Sequence, residues 1–299
     1  MQPLTSGRAV AFHSVFVRKV GVSVASRQSD DIELVLFYNG IESVDVAISS
    51  GIDAVIVDCE KAGKGIRQRG YDTEINRWEP VDCENVRSRA SNLWVICRID
   101  SFREAGAKAI EQARIAVSAG AHEVILPMVD GLDEVCAVLD AVSGRAQLSI
   151  MIETKGAIAV AAELDRLPLR RAFLGLNDLM IETGGRHLFE HILDGTVERV
   201  RSKFTALAFG FGGMTLPEAG YPVPCRLMIA ELARLRCNFT FLRRSFYRDL
   251  AATGIDPAEA AMRMRSAWMM ASSRSAEMVA QDHAELSSIL ERIVSGPQS

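Results

Sequence analysis

Short apolar runs recur along the chain from residue 33 onward, each bounded by polar or Gly-bearing segments. Leu34–Tyr38, Ala54–Asp58, Trp94–Arg98, Glu123–Leu126, Leu148–Ile152, the run from Arg171 towards Asp178, Ala206–Phe211 and Phe239–Leu242 are too short for helices and read as buried strands. Between them the apolar spacing lengthens to that of helices: Glu42–Ser50, which stops at Gly51, then Asp82–Ala90, Glu104–Ser118, Leu132–Val142, Gly156–Leu164, Leu188–Phe204 and Pro224–Leu235. Two further helical stretches, Pro257–Met278 and Asp282–Val294, follow the last strand. Cys59 to Trp78 is a polar segment carrying Gly63 and Gly65, long for a compact domain and dense in charge, which favours a functional loop.

Strands alternating with helices imply a parallel sheet, and eight such units have the size of a closed (β/α)8 TIM barrel. The competitor, a doubly wound open sheet, would show a Gly-rich phosphate fingerprint after its first strand, and Tyr38-Asn39-Gly40-Ile41-Glu42 carries none. The chain therefore divides into an N-terminal arm (1–32), an α/β barrel (33–250) and a C-terminal helical extension (251–299) that packs on the barrel or on a neighbouring subunit.

In a barrel, chemistry collects where the strands end. Those ends carry Asn39, Asp58 with Glu60, Arg98 with Asp100, Pro127-Met128, Glu153, Asn177-Asp178, Gly212-Gly213 and Arg243-Arg244. Glu153 and Asp178 each break an apolar run. Either alone could be a helix-capping acid; matched on adjacent strands, the two are a ligand pair for a hard divalent cation, Mg2+ or Mn2+ rather than zinc.

Arg98 interrupts a buried strand, where it needs a partner. That partner is an internal acid (Asp58, Glu60 or Asp100) or a substrate carboxylate or enolate. Asp58-Cys-Glu60-Lys61-Ala-Gly-Lys64 offers acids and ammonium groups from which a proton-transferring group could be built, and reads otherwise as a solvated loop. Arg67-Gln68 belongs to the site or to a subunit contact. Gly212-Gly213 could present backbone N–H groups to an anion, with Arg243 and Arg244 beside it, or could serve close packing. His187-Leu-Phe-Glu190-His191 matches an inverted zincin pattern but sits in the wrong context and reads as a surface or capping pair. Met262, Met264, Met269, Met270 and Trp268 read as core or subunit interface.

The 299 residues are 48% hydrophobic with a formal net charge of −4, which suits a soluble globular protein and argues against a nucleic-acid surface. Six scattered cysteines without a C-x-x-C pair argue for free thiols and a reducing, cytoplasmic setting. No apolar stretch has the length of a membrane span, and the N-terminus lacks the pattern of a signal peptide.

Taken together, Asp58-x-Glu60, Cys97-Arg98-Ile-Asp100, Glu123-Val-Ile-Leu-Pro127-Met128-Val129, Ile150-Met-Ile-Glu153-Thr and Leu174-Gly-Leu-Asn177-Asp178-Leu resemble the HpcH/HpaI aldolase and citrate lyase β-subunit family of the phosphoenolpyruvate/pyruvate barrel superfamily, across residues 33–245. The resemblance implies an oligomeric (β/α)8 barrel, a divalent metal on Glu153 and Asp178, and Arg98 stabilising an enolate oxygen. Two positions depart from the family pattern: Lys61 stands where the aldolases usually have histidine, and Met151 where they often have glutamine.

The leading expectation is a metal-dependent carbon–carbon lyase or aldolase acting on a small oxo- or hydroxy-acid of the pyruvate type. In it Glu153 and Asp178 bind metal, Arg98 holds the enolate, Asp58, Glu60 and Lys61 move the proton, and Asn177, Gly212, Gly213 and Arg243 contact the substrate. The alternatives are a CoA-thioester lyase or synthase acting on an acyl-CoA, a non-catalytic anion-binding barrel, and phosphoryl chemistry using Arg243 and Arg244.

Overall fold

A computed structural model of the chain describes residues 31–67 and 76–296. The proposed arm up to residue 30 and the centre of the long loop, 68–75, lie outside the described residues. Eight strands form one parallel sheet: β1 (Glu33–Phe37), β2 (Ala54–Asp58), β3 (Trp94–Arg98), β4 (Glu123–Leu126), β5 (Gln147–Ile152), β6 (Arg171–Leu174), β7 (Ala208–Phe211) and β8 (Phe239–Phe241). The order is β7-β6-β5-β4-β3-β2-β1-β8. The ring closes beyond the last strand pair, where Met214 bridges Leu242: its N–H donates to the Phe241 carbonyl (3.0 Å) and its carbonyl accepts from the Arg243 N–H (2.7 Å). The (β/α)8 barrel expected from the sequence is the observed fold.

Each strand is apolar on both faces because both faces are covered. Successive side chains alternate between the barrel interior and the surrounding helices. Val35, Ile56, Ile96, Ile125, Met151, Phe173, Phe239 and Phe241 fill the interior. Leu34, Leu36, Val55, Val57, Val95 and Cys97 lie in the larger layer beneath the helices.

The same alternation determines what sits at each end of the barrel. Two residues before the central inward layer come Glu33, Trp94, Glu123, Ser149 and Arg171, which plug the N-terminal end. Arg171 Nη2 bonds Glu123 Oε2 (2.8 Å) and Glu33 Oε1 (3.0 Å), while Trp94 Nε1 (2.9 Å) and Ser149 Oγ (2.6 Å) also donate to Glu123. Two residues after that layer come Phe37, Asp58, Arg98, Glu153, Gly175, Gly212 and Arg243, at the opposite mouth.

The helices differ from the sequence expectation mainly where glycine or serine breaks a continuous pattern. The stretch expected over Glu104–Ser118 is Phe102–Ala105 and Ala107–Ser118, separated at Gly106 (φ 53°). Leu188–Phe204 resolves into Glu190–Leu193 and Thr196–Arg201 around Gly195 (φ 73°). The C-terminal pair is Pro257–Ser272 and Ala276–Ser295, divided where the Ser275 side chain caps the second helix by accepting from the Met278 N–H. Both pack on Cys225–Arg234, the helix between β7 and β8. Of the methionine cluster, Met264 and Trp268 are buried, whereas Met262, Met269 and Met270 are exposed. No helix among the described residues is long and apolar enough to cross a membrane.

The plug is a buried charge network, and removing one partner of such a network is more damaging than replacing the whole. Arg171→Met is expected to destabilise the fold by about 3–5 kcal/mol in urea unfolding, because Glu123 loses its buried counter-charge. Combining it with Glu123→Gln is expected to recover most of that loss.

Candidate active site at the C-terminal mouth

A cavity of about 390 Å3 opens at the C-terminal mouth. Phe37, Met151, Phe173, Leu188, Phe189 and Phe241 form its apolar walls, and Lys64, Arg98, Glu153, Asn177, Asp178, Arg243 and Arg244 its polar ones. Gly212 and Gly213 border it as well. Glu153, Asp178, Arg98, Asn177, Gly212, Gly213 and Arg243 are thus brought to one place, as the sequence led one to expect.

Asp58 and Arg98 end adjacent strands in direct register. Arg98 Nε bonds Asp58 Oδ1 (2.7 Å) and Nη2 bonds Oδ2 (2.6 Å), a two-pronged charge-assisted pair. The fork of Arg98 is therefore engaged by an internal acid and not left open for a substrate carboxylate. Arg98 still lines the cavity, with Nη1 3.6 Å from Met151 Sδ. Asp58 Oδ2 also accepts from Lys64 Nζ (3.1 Å) and Asn76 Nδ2 (3.0 Å). Burial alone would raise the Asp58 carboxyl, but the Arg98 guanidinium and Lys64 ammonium hold it far below the usual carboxylate range.

Lys61, a candidate proton carrier, sits elsewhere. Its ammonium pairs with Glu79 and donates to the Arg77 carbonyl (3.2 Å), and Lys61 is not part of the cavity wall. Its backbone N–H and that of Ala62 are fixed by Asp100 Oδ1 (2.6 and 2.8 Å), and Gln112 in turn holds Asp100 Oδ2 (2.8 Å). This clamp leads the chain into Gly63, whose φ of +70° reverses it; a Cβ there would lie 2.5 Å from the Glu104 side chain. The short helix Lys64–Arg67 follows and delivers Lys64, not Lys61, to the cavity.

Arg67 joins two acids. Nη2 bonds Glu60 Oε1 (2.7 Å) and Nε bonds Asp178 Oδ1 (2.7 Å). Asp178 does not end a strand, as the sequence pattern suggested. β6 stops at Leu174, and Asp178 lies in the first turn of the helix Leu176–Thr183, where a carboxylate also suits the helix dipole.

Glu153 follows β5 directly and is 3% exposed. Its Oε2 accepts the Met128 N–H (3.0 Å), for which Met128 adopts φ 51°, an uncommon conformation for a residue with a side chain. Gly175 makes room on the other side, since a Cβ there would lie 2.2 Å from Glu153 Oε1. Burial, then the Asp178 and Glu60 carboxylates, push the Glu153 carboxyl up to about 8, against the opposing pull of Arg98 and the Met128 N–H.

Lys64, Arg67 and Arg98 pair with Asp58, Glu60 and Asp178, whereas Glu153 accepts the Met128 N–H and is crowded by the Asp178 and Glu60 carboxylates. Among the described residues no group of three or more His, Cys, Asp or Glu is placed to hold a metal ion by itself. Two oxygen-donor acids at a partly enclosed position fit a cation such as Mg2+, which is commonly bound through one or two carboxylates while waters and substrate complete its shell.

The histidines of the H-x-x-E-H stretch do not line the cavity, although Leu188 and Phe189 between them do. His191 is buried with its ring between Thr183 Oγ1 (2.9 Å) and Asp194 Oδ2 (3.2 Å), and His187 Nδ1 accepts the Phe189 N–H (3.3 Å).

No protein-family model matches the chain, and no curated protein matches it. Solved structures do. A citrate lyase from Burkholderia xenovorans aligns with a TM-score of 0.54 at 14% identity, over 89% of this chain and 84% of that one. An HpcH/HpaI aldolase from Desulfitobacterium hafniense aligns with a TM-score of 0.51 at 14% identity, over 76% and 92%. A 3-hexulose-6-phosphate synthase from Salmonella typhimurium does so at 0.53 and 12%, over 80% and 100%. The resemblance to the aldolase and citrate lyase family noted in the sequence thus reappears in the fold, and at these identities the fold is what the likeness carries.

With divalent cations chelated, the raised Glu153 carboxyl makes the folded state hold a proton that the unfolded chain, titrating near 4.5, has already released. Stability is therefore expected to fall as pH rises from about 4.5 through about 8 and to level off above that. In Glu153→Gln this component of the pH dependence should vanish. Urea unfolding in EDTA across that pH range measures it.

Proposed function

We propose that the chain is a carbon–carbon lyase or aldolase that forms an enolate from a small oxo- or hydroxy-acid at the barrel mouth, with a divalent cation held by Glu153 and Asp178. The observation that carries the reading is the convergence of Glu153, Asp178 and Arg98 on one cavity, with Glu153 buried and crowded by the Asp178 and Glu60 carboxylates. Breaking or making a C–C bond next to a carbonyl places negative charge on the carbonyl oxygen. Preorganised cationic groups in a partly enclosed, low-dielectric mouth lower the energy of that charge most.

The cation, when bound, would supply Lewis-acid polarisation of the substrate oxygens. The chain's own residues do the rest. Arg98 is locked in position by Asp58, so it meets the developing oxyanion without reorganising. Asp58 and Glu60 keep Arg98 and Arg67 charged and aligned and hold Lys64 in place. Asn177 and Arg243 line the cavity where the remainder of the substrate would lie, and Arg243 is steadied by its Nε bond to the Gly213 carbonyl (2.8 Å). Phe37, Phe173 and Phe241 exclude water from the floor.

The cavity volume and the small number of polar groups suit a compact acid of the pyruvate type. A CoA-thioester substrate, or an anionic metabolite bound without reaction, remains the runner-up.

With pyruvate in D2O and Mg2+, methyl exchange followed by proton NMR is expected for the wild-type chain and is expected to cease in EDTA. Arg98→Met should slow it by about 10²–10³-fold, the typical effect of removing one oxyanion donor. Asp178→Ala should abolish it. Exchange with acetyl-CoA but not pyruvate would move the assignment to the thioester branch, and full activity of Glu153→Ala would refute the metal-based reading.

A further inference from the structure

Among the described residues Lys64 is the only lysine in the wall of the cavity, and it is 2% exposed. Its ammonium lies 3.1 Å from Asp58 Oδ2 and 3.7 Å from Glu60 Oε2. The same Asp58 oxygen accepts Arg98 Nη2 at 2.6 Å, so amine and guanidinium flank one carboxylate oxygen. The segment bearing Lys64 is rigid by construction, through the Asp100–Gln112 clamp before Gly63 and the Arg67 ties to Glu60 and Asp178 after it.

A buried lysine at this point is more than a counter-ion for Asp58, which already has a two-pronged partner in Arg98. Lys64 and Arg98 line the same cavity, so a carbon next to an oxygen held at Arg98 would lie in the space that the Lys64 amine borders. We infer that Lys64 is the catalytic acid–base of the site, a role that rests on the enolate chemistry proposed above and that the sequence reading had placed on Asp58, Glu60 and Lys61.

In the cleavage direction the Lys64 ammonium gives a proton to the enolate carbon: an N–H bond breaks, a C–H bond forms, and the enolate electron pair becomes that bond as the carbonyl is restored. In the reverse direction the neutral amine removes a proton from the carbon next to the carbonyl, and the electron pair moves to the oxygen beside Arg98. Asp58 and Glu60 face the amine from the end of β2, Arg98 faces it from β3, and Glu153 and Asp178 line the same cavity from β5 and the helix after β6. Burial and the Arg98 charge lower the proton affinity of Lys64 while Asp58 and Glu60 restore part of it, which brings the amine closer to neutral pH, where a shuttling base works best.

The test is methyl deuterium exchange of pyruvate with Mg2+ in Lys64→Arg, Lys64→Ala and Lys61→Ala variants. Lys64→Arg keeps a cation for Asp58 and Glu60 and should fold, as circular dichroism and melting will verify, yet lose at least about 10²-fold in exchange rate. Lys64→Ala should regain exchange when ethylamine or methylamine is added, with a rate that follows the basicity of the added amine; a purely structural lysine would show no such dependence. Exchange that persists in folded Lys64→Arg, or loss that tracks Lys61→Ala instead, overturns the role of Lys64 while leaving the enolate chemistry standing. Absence of exchange in the wild-type chain with pyruvate and with acetyl-CoA alike overturns both.

Discussion

The crowding of buried carboxylates at the C-terminal mouth is the constraint to which the rest of the site is fitted. Carboxylates cannot be crowded in a low-dielectric space without compensating cations or protons. Here Arg98 and Lys64 answer Asp58, Arg67 answers Glu60 and Asp178, and Glu153 is left with a backbone N–H and an unfavourable electrostatic environment. A protein that gained nothing from this arrangement would replace Glu153 with an apolar residue, since β5 is otherwise wholly apolar at its end. Retaining a carboxyl there, and keeping Gly175 bare and Met128 at positive φ to accommodate it, makes sense when the acid binds a cation in use.

The fold makes this concentration of charge tolerable. Inward-facing positions of the strands form three levels: a charged plug at the N-terminal end, an aliphatic and aromatic middle, and the functional level above. The plug and the mouth carry opposite consequences. Arg171 pairs with Glu123 and Glu33 and serves stability, whereas the mouth faces an open cavity. Chemistry at one end is thereby insulated from the structural ion network at the other by the packed layer of Val35, Ile56, Ile96, Ile125, Met151 and Phe173.

Much of this was readable in the residues. The apolar runs located all eight strands because each is a fully buried parallel strand bounded by turns, and the acids and arginines ending them marked the mouth. Asp58, Arg98 and Glu153 were recognisable because each lies two residues beyond an inward apolar side chain. Other features depend on three-dimensional contacts with no local signature. Asp178 looked like a strand end because the apolar pattern runs unbroken from β6 into the following helix. Lys61 and Lys64 are chemically alike, and only the left-handed turn at Gly63 and the Asp100 clamp decide which one enters the cavity. Likewise, the reach of Arg67 across the mouth to Asp178 joins residues 111 positions apart and follows from barrel closure, not from sequence spacing.

The central claim, that the crowded Glu153 carboxyl and Asp178 recruit a divalent cation, is tested most directly by calorimetric titration of the chelator-treated chain with Mn2+ near pH 7 in two buffers of different ionisation enthalpy. Binding should be accompanied by release of about one proton, because a carboxyl that titrates near 8 must give up its proton to become a ligand. Glu153→Gln should bind more weakly and without that release. No binding to the wild-type chain, or binding of equal strength in Glu153→Gln, would contradict the account.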